Sequence, residues 1–184
     1  VFPAVIALDG GHGVAGPVGR MMVGMALVDP AYMVTVGYPP DQPNSRTEDL
    51  THWPYDDQGQ RRGGGGAGFL AFLLEELGPF LEARYPVRMQ RSVLFGHSLG
   101  GLFVATLLAE KPDAFGGYIA ASPSVYWDET VLQRVAAAAS RGGGRRVVVA
   151  VGGKEPEHML AGARQLTEAL QAPGSALKVE SRVF

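Results

Sequence analysis

Residues Gly96-His97-Ser98-Leu99-Gly100 form a G-x-S-x-G pattern. The apolar run Val93-Leu94-Phe95 precedes it and a helix-forming stretch from Leu99 follows it. A serine set between a strand and a helix in this way is a nucleophile elbow. The turn is so tight that residues two before and two after the serine must lack side chains, and Gly96 and Gly100, with Gly101 behind them, meet that demand. Such a turn lifts the Ser98 hydroxyl above the sheet. It also aims the Leu99 backbone N–H, at a helix N-terminus, toward an oxyanion. The chemistry that follows is attack by a hydroxyl on an acyl group. His97 adjoins the serine, but an elbow turns neighbouring side chains apart, so a packed or hydrogen-bonded His97 is expected rather than a base.

The chain order in this arrangement is serine, then acid, then histidine. Val147-Val148-Val149-Ala150-Val151 reads as a later strand, and Gly152-Gly153-Lys154-Glu155 follows it. Glu155 is therefore the expected acid, with Glu157 as a nearby rival. The histidines are His12, His52, His97 and His158, and none lies after the last strand-like segment. The base is expected on a loop beyond Phe184. A second oxyanion donor is expected where Leu8-Asp9-Gly10-Gly11-His12-Gly13 leaves the first strand, since Gly10 or Gly11 brings a backbone N–H against a ligand with no side chain in the way. A phosphate cradle is the rival reading there, but no G-K-S/T and no spaced G-x-G-x-x-G follows; a plain glycine turn is the other.

The elements that must position these residues are regular. Strands are expected over 4–8, 32–36, 92–95, 118–121, 147–151 and 177–184. Helices are expected over 69–81, where Phe69, Leu70, Leu73, Leu77, Phe80 and Leu81 share one face, and over 99–110, 130–139 and 158–170. Pro79 is expected to kink or break the first of these. Strands alternating with helices mean βαβ units, a mainly parallel sheet and helices on both of its faces. The fully apolar 147–151 run suits a strand covered on both sides. Residues 37–66, rich in Pro, Gly, Asp and Arg, are too long for a simple connector and read as functional or disordered; within them Gly63–Gly66 reads as a flexible hinge.

Composition narrows the function classes. The chain has 184 residues, 16 basic and 18 acidic side chains and a net charge of −2, which offers no electrostatic case for nucleic acid. Without cysteine there is no disulfide framework, thiol nucleophile or thiolate metal site. No apolar run approaches the roughly 20 residues of a membrane helix. No metal and no cofactor is expected, and the elbow chemistry makes a small-molecule ester the expected partner.

Several segments together carry a family resemblance: Leu8-Asp9-Gly10, Asn44-Ser45-Arg46-Thr47-Glu48-Asp49-Leu50-Thr51, the F-L-x-x-E-L-x-P-x-L-E-x-x-Y pattern from Phe72 to Tyr85, Gly96 to Phe103, Ala121-Ser122-Pro123-Ser124 and Gly152 to Glu155. In this order they resemble the bacterial siderophore esterases of the esterase-D-like α/β-hydrolases. The resemblance implies an α/β-hydrolase fold, an acyl-enzyme mechanism, and a catecholate tri-ester, free or as its iron complex, as substrate. It implies one domain over residues 1–184 that lacks the family's early strands and its C-terminal histidine loop. It also implies a soluble protein of the bacterial cytoplasm or periplasm. Arg46 then gains a substrate role, because a planar guanidinium suits electron-rich catecholates; a local pair with Asp49 is the alternative. Trp127, with Trp53 and Tyr126, either lines a pocket for aromatic acyl groups or caps the core. A general short-acyl carboxylesterase or acyltransferase, and a non-catalytic binding module of the same fold, are the other functional readings.

Overall fold

The computed structural model describes residues 2–8, 31–39, 41 and 43–184. Six parallel strands make the main sheet: β1 (Ala4–Ala7), β2 (Tyr32–Thr35), β5 (Val93–His97), β6 (Gly117–Ala121), β7 (Arg146–Val151) and β8 (Lys178–Val183), in the order β2-β1-β5-β6-β7-β8. Every expected strand is present, with ends shifted by a residue or two. The order of the strands places β5 and β6 at the centre. His97 is in register with Ala121, and Ala121 with Ala150, so the loops after β5, β6 and β7 leave from one edge of the sheet.

The helices follow from their apolar spacing. α4 (Leu99–Glu110) is buried from Leu99 to Ala109, as a helix that is apolar all round must be. It packs on β5 and β6, α5 (Thr130–Ala138) packs on α4, and α6 (Glu157–Leu170) packs on α5, β7 and β8. The core is Ile6, Leu94, Leu102, Phe103, Leu107, Phe115, Tyr118, Val147 and Leu166 with their neighbours. β7 is buried on one face, through Val147, Val149 and Val151, and half-buried on the other, through Val148 and Ala150. Among the described residues no helix is long and apolar enough to cross a membrane.

Two expectations need correction. Pro79 does not break its helix. α2 (Gly66–Ala71) runs into a π-helical turn (Phe72–Leu77) and then into α3 (Gly78–Arg84). The Gly78 N–H donates five residues back, to the Leu73 carbonyl. The wider turn lets Pro79 fall in the first turn of α3, where a missing N–H costs nothing. Of residues 37–66, which read as functional or disordered, residues 43–66 are built of regular elements and packed turns. They hold α1 (Arg46–Leu50) and a two-stranded antiparallel hairpin, β3 (Tyr55–Asp57) with β4 (Gln60–Arg62). Gly63–Gly66 is a packed turn and not a hinge. Gly63 and Gly64 have φ of 81° and 100°, and a Cβ on Gly63 would lie 2.1 Å from the Thr51 Oγ1. The N–H groups of Gly64, Gly65 and Gly66 donate to the Thr51 hydroxyl, the Glu48 carbonyl and the Thr51 carbonyl.

Candidate active site

Ser98 follows β5 with φ 59° and ψ −118°, a strained conformation for a residue with a Cβ. Three bonds hold it there. Its N–H donates to the Ala121 carbonyl on β6 (3.0 Å), and its carbonyl accepts from the N–H groups of Leu102 (3.1 Å) and Ser124 (3.1 Å). The glycines do what the motif demands. A Cβ on Gly96 would sit 2.1 Å from the Gly100 carbonyl oxygen, and one on Gly101 would sit 2.9 Å from the Ala121 oxygen. The Ser98 hydroxyl lies 3.2 Å from the Ser124 hydroxyl. Leu99 is the first residue of α4. Its side chain is buried and its N–H belongs to the unbonded first turn of the helix.

Glu155 follows β7 on the same edge. Its Oε1 accepts from the Ser122 hydroxyl (2.5 Å) and from the Gly152 N–H (2.8 Å). The Ser122 bond holds the carboxyl below its ordinary value against the opposing effect of burial, and the Gly152 N–H and nearby His97 add to the depression. Glu155 is thus kept ionised and fixed in place. The rival Glu157 is spent elsewhere, on Arg164 at 2.5 Å. β5 and β7 flank β6, so their ends stand about two strand spacings apart, roughly 10 Å. That gap accommodates an imidazole hydrogen-bonded at both ends.

None of the described histidines fills it. His97 ends β5 and is exposed, so the packed alternative of the expectation does not hold. His52 bonds to Glu110 at 3.3 Å, and His158 makes a T-shaped contact with Tyr126, ring centroids 4.9 Å apart. Among the described residues, no histidine hydrogen-bonds Ser98. The Phe184 N–H donates to the Val151 carbonyl (3.1 Å) and the Gly153 N–H to the Phe184 carbonyl (2.7 Å). The end of β8 is therefore pinned to the Gly152-Gly153 turn that carries Glu155.

The expected oxyanion donors Gly10 and Gly11 lie outside the described residues. Leu8 is described, and its N–H bonds the Phe95 carbonyl (3.0 Å), so β1 ends beside the elbow on the same edge. Arg46 is half-buried at the start of α1, which packs against α4. Asp49 accepts from the Tyr38 hydroxyl at 2.9 Å. Trp127 is half-buried against the core, in the 3₁₀ turn Val125–Trp127 directly after Ser124. Trp53 and Tyr126 are half-exposed. Ser122 and Ser124 belong to a segment that carries the family resemblance but gained no role from their sequence context. Their signal was a pair of small hydroxyl residues just past a central strand, and only the pairing of three strands shows what they touch.

Residues 1–181 match the family model described as putative esterase. The chain belongs to the putative esterase family. It is 35% identical over 161 residues to the ferri-bacillibactin esterase BesA of Bacillus subtilis, a match covering 78% of this chain and 56% of that protein. It is 29% identical over 147 residues to the apo-salmochelin esterase of Escherichia coli, covering 74% of this chain and 46% of that protein. The crystal structure of the BES protein of Bacillus cereus superposes with a TM-score of 0.84 at 28% identity, over 99% of this chain and 76% of that one. The fold of this esterase-family chain is that of the α/β-hydrolases. The chain spans about half the length of each of these two curated relatives.

Proposed function

We propose that the chain carries the nucleophile and acid of a serine esterase whose substrate is a catecholate tri-ester siderophore, free or iron-loaded. The observation that carries this is the strained elbow at Ser98 facing, across one strand, a Glu155 carboxylate held ionised. In this reading Ser98 Oγ attacks the ester carbonyl and gives its proton to an imidazole. Glu155 orients that ring and stabilises its charged form. The Leu99 N–H, with one from Gly10 or Gly11, holds the oxyanion. The protonated imidazole then hands its proton to the departing alcohol, and water attacks the acyl-enzyme with the ring again as base. The histidine is assigned to sequence following β8. The Gly152-Gly153 turn to which Phe184 is hydrogen-bonded is the turn that leads to Glu155, which supports this. Arg46 and Trp127 are assigned to the substrate.

The relatives named as bacillibactin and salmochelin esterases support the substrate class. A full-length protein should hydrolyse a catecholate tri-ester, and a fluorophosphonate should add one label at Ser98. Ser98→Ala should abolish both. Turnover that survives Ser98→Ala would overturn the reading. Fast hydrolysis of nitrophenyl acetate with none of the tri-ester would favour a general carboxylesterase.

A further inference from the structure

Residues Ser122-Pro123-Ser124 leave the carboxyl end of β6, between the strand that ends at the elbow and the strand that leads to Glu155. All three are buried, with Ser122 at 6% and Ser124 at 1% exposure. Each end of the tripeptide is tied to a different neighbour. The Ser122 N–H donates to the Ala150 carbonyl on β7 at 2.7 Å, and the Ser124 N–H donates to the Ser98 carbonyl at 3.1 Å. The hydroxyls repeat the pattern: Ser122 donates to Glu155 Oε1, and Ser124 meets Ser98 Oγ. Pro123 stiffens the link through its fixed φ. It also abuts α4, where a Cβ on Gly101 would come within 3.0 Å of the Pro123 Cα.

Ser122 has φ 43°, the left-handed region that glycine enters without strain. Glycine would relax that backbone but has no hydroxyl for Glu155. On the reading of Ser98 and Glu155 given above, we propose that Ser122 and Ser124 are positioning residues, one bracket that sets the nucleophile and the acid at a fixed separation. The proton inventory fits. Ser122 occupies Oε1 and leaves Oε2 for an imidazole N–H. Ser124 can donate to a lone pair of Ser98 Oγ, which leaves the Ser98 proton for the ring's other nitrogen. The same Ser122 bond is the leading cause of the depressed Glu155 carboxyl.

The test uses the full-length protein and a soluble ester, with Ser98→Ala as the reference. Ser122→Gly removes the hydroxyl while relieving the backbone, so the variant should fold with a Tm within a few degrees of wild type. Its kcat should fall about tenfold or more, the size of a lost charge-assisted hydrogen bond, with KM little changed. In a Glu155→Ala background the same change should cost almost nothing further, because Ser122 acts through Glu155. Ser124→Ala should slow fluorophosphonate labelling of Ser98, and Ser124→Thr should restore it in part. A wild-type kcat in Ser122→Gly, or losses at 122 and 155 that multiply, overturns the bracket alone. A Ser98→Ala protein that still turns over overturns the catalytic reading and the bracket with it.

Discussion

Gly96→Ala adds one methyl group at the tightest point of the elbow. The new Cβ would lie 2.1 Å from the Gly100 carbonyl oxygen and 2.3 Å from its carbon. An ordinary carbon–oxygen contact is about 3.3 Å, so the turn must open by about 1.2 Å. Both clashing groups are backbone, and no rotamer change relieves them. Opening the turn pulls on the Ser98 N–H bond to Ala121 (3.0 Å) and shifts Ser98 Oγ from Ser124 (3.2 Å). Overpacking costs about 1–3 kcal/mol even where side chains yield, and here the upper end is expected. At about 2–4 °C per kcal/mol for a chain of this size, Tm should fall by about 6–12 °C. A displacement of about 1 Å at the reacting atom costs about a hundredfold in kcat. Gly68→Ala is the matched control. Gly68 is exposed in α2, and a Cβ there meets nothing within 4 Å, so the same change should stabilise by about 0.5–1 kcal/mol and leave kcat unchanged. Thermal denaturation and ester turnover of the two full-length variants check both arms. A Gly96→Ala protein with wild-type Tm and kcat, or two variants shifting the same way, would refute the elbow argument.

The depressed Glu155 carboxyl makes a stability contribution that is present above the ordinary value of 4.5 and is lost as pH falls through the lower folded-state value. Urea titrations should therefore show the gap between wild type and Glu155→Gln closing as pH drops below about 4.5. The Tyr118 hydroxyl accepts from the Phe115 N–H and donates to the Pro112 carbonyl, and burial raises its pKa to about 12. Tyr118→Phe strands both partners and should cost about 1–3 kcal/mol in urea unfolding. In wild type that contribution should hold below pH 10 and fade as pH rises toward about 12; an unchanged urea midpoint in Tyr118→Phe would refute it. Arg46→Ala should slow hydrolysis of an anionic catecholate tri-ester about tenfold or more relative to a neutral nitrophenyl ester, and equal losses on both substrates would assign Arg46 a structural role.

What was legible in the sequence rested on local rules. The apolar runs and their periods located six strands and the main helices, because burial of one face imposes a period within the segment itself. The elbow was legible for the same reason. Steric exclusion between Gly96 and Gly100 acts within five residues, so the motif carries its own geometry. Where a contact joined distant residues, local rules ran out. Gly63 and Gly64 read as loose until Thr51 is seen packed beneath them. Pro79 suggests a kink or a break because nothing local announces the π turn that admits it. Position after β7 favours Glu155 and leaves Glu157 as a rival, and only the Ser122 hydroxyl, 33 residues earlier, and Arg164 show the different partners they take. The roles of Ser122 and Ser124 depend on the pairing of β5, β6 and β7. That pairing is an energy shared among segments up to about 50 residues apart in the chain, and no single segment encodes it.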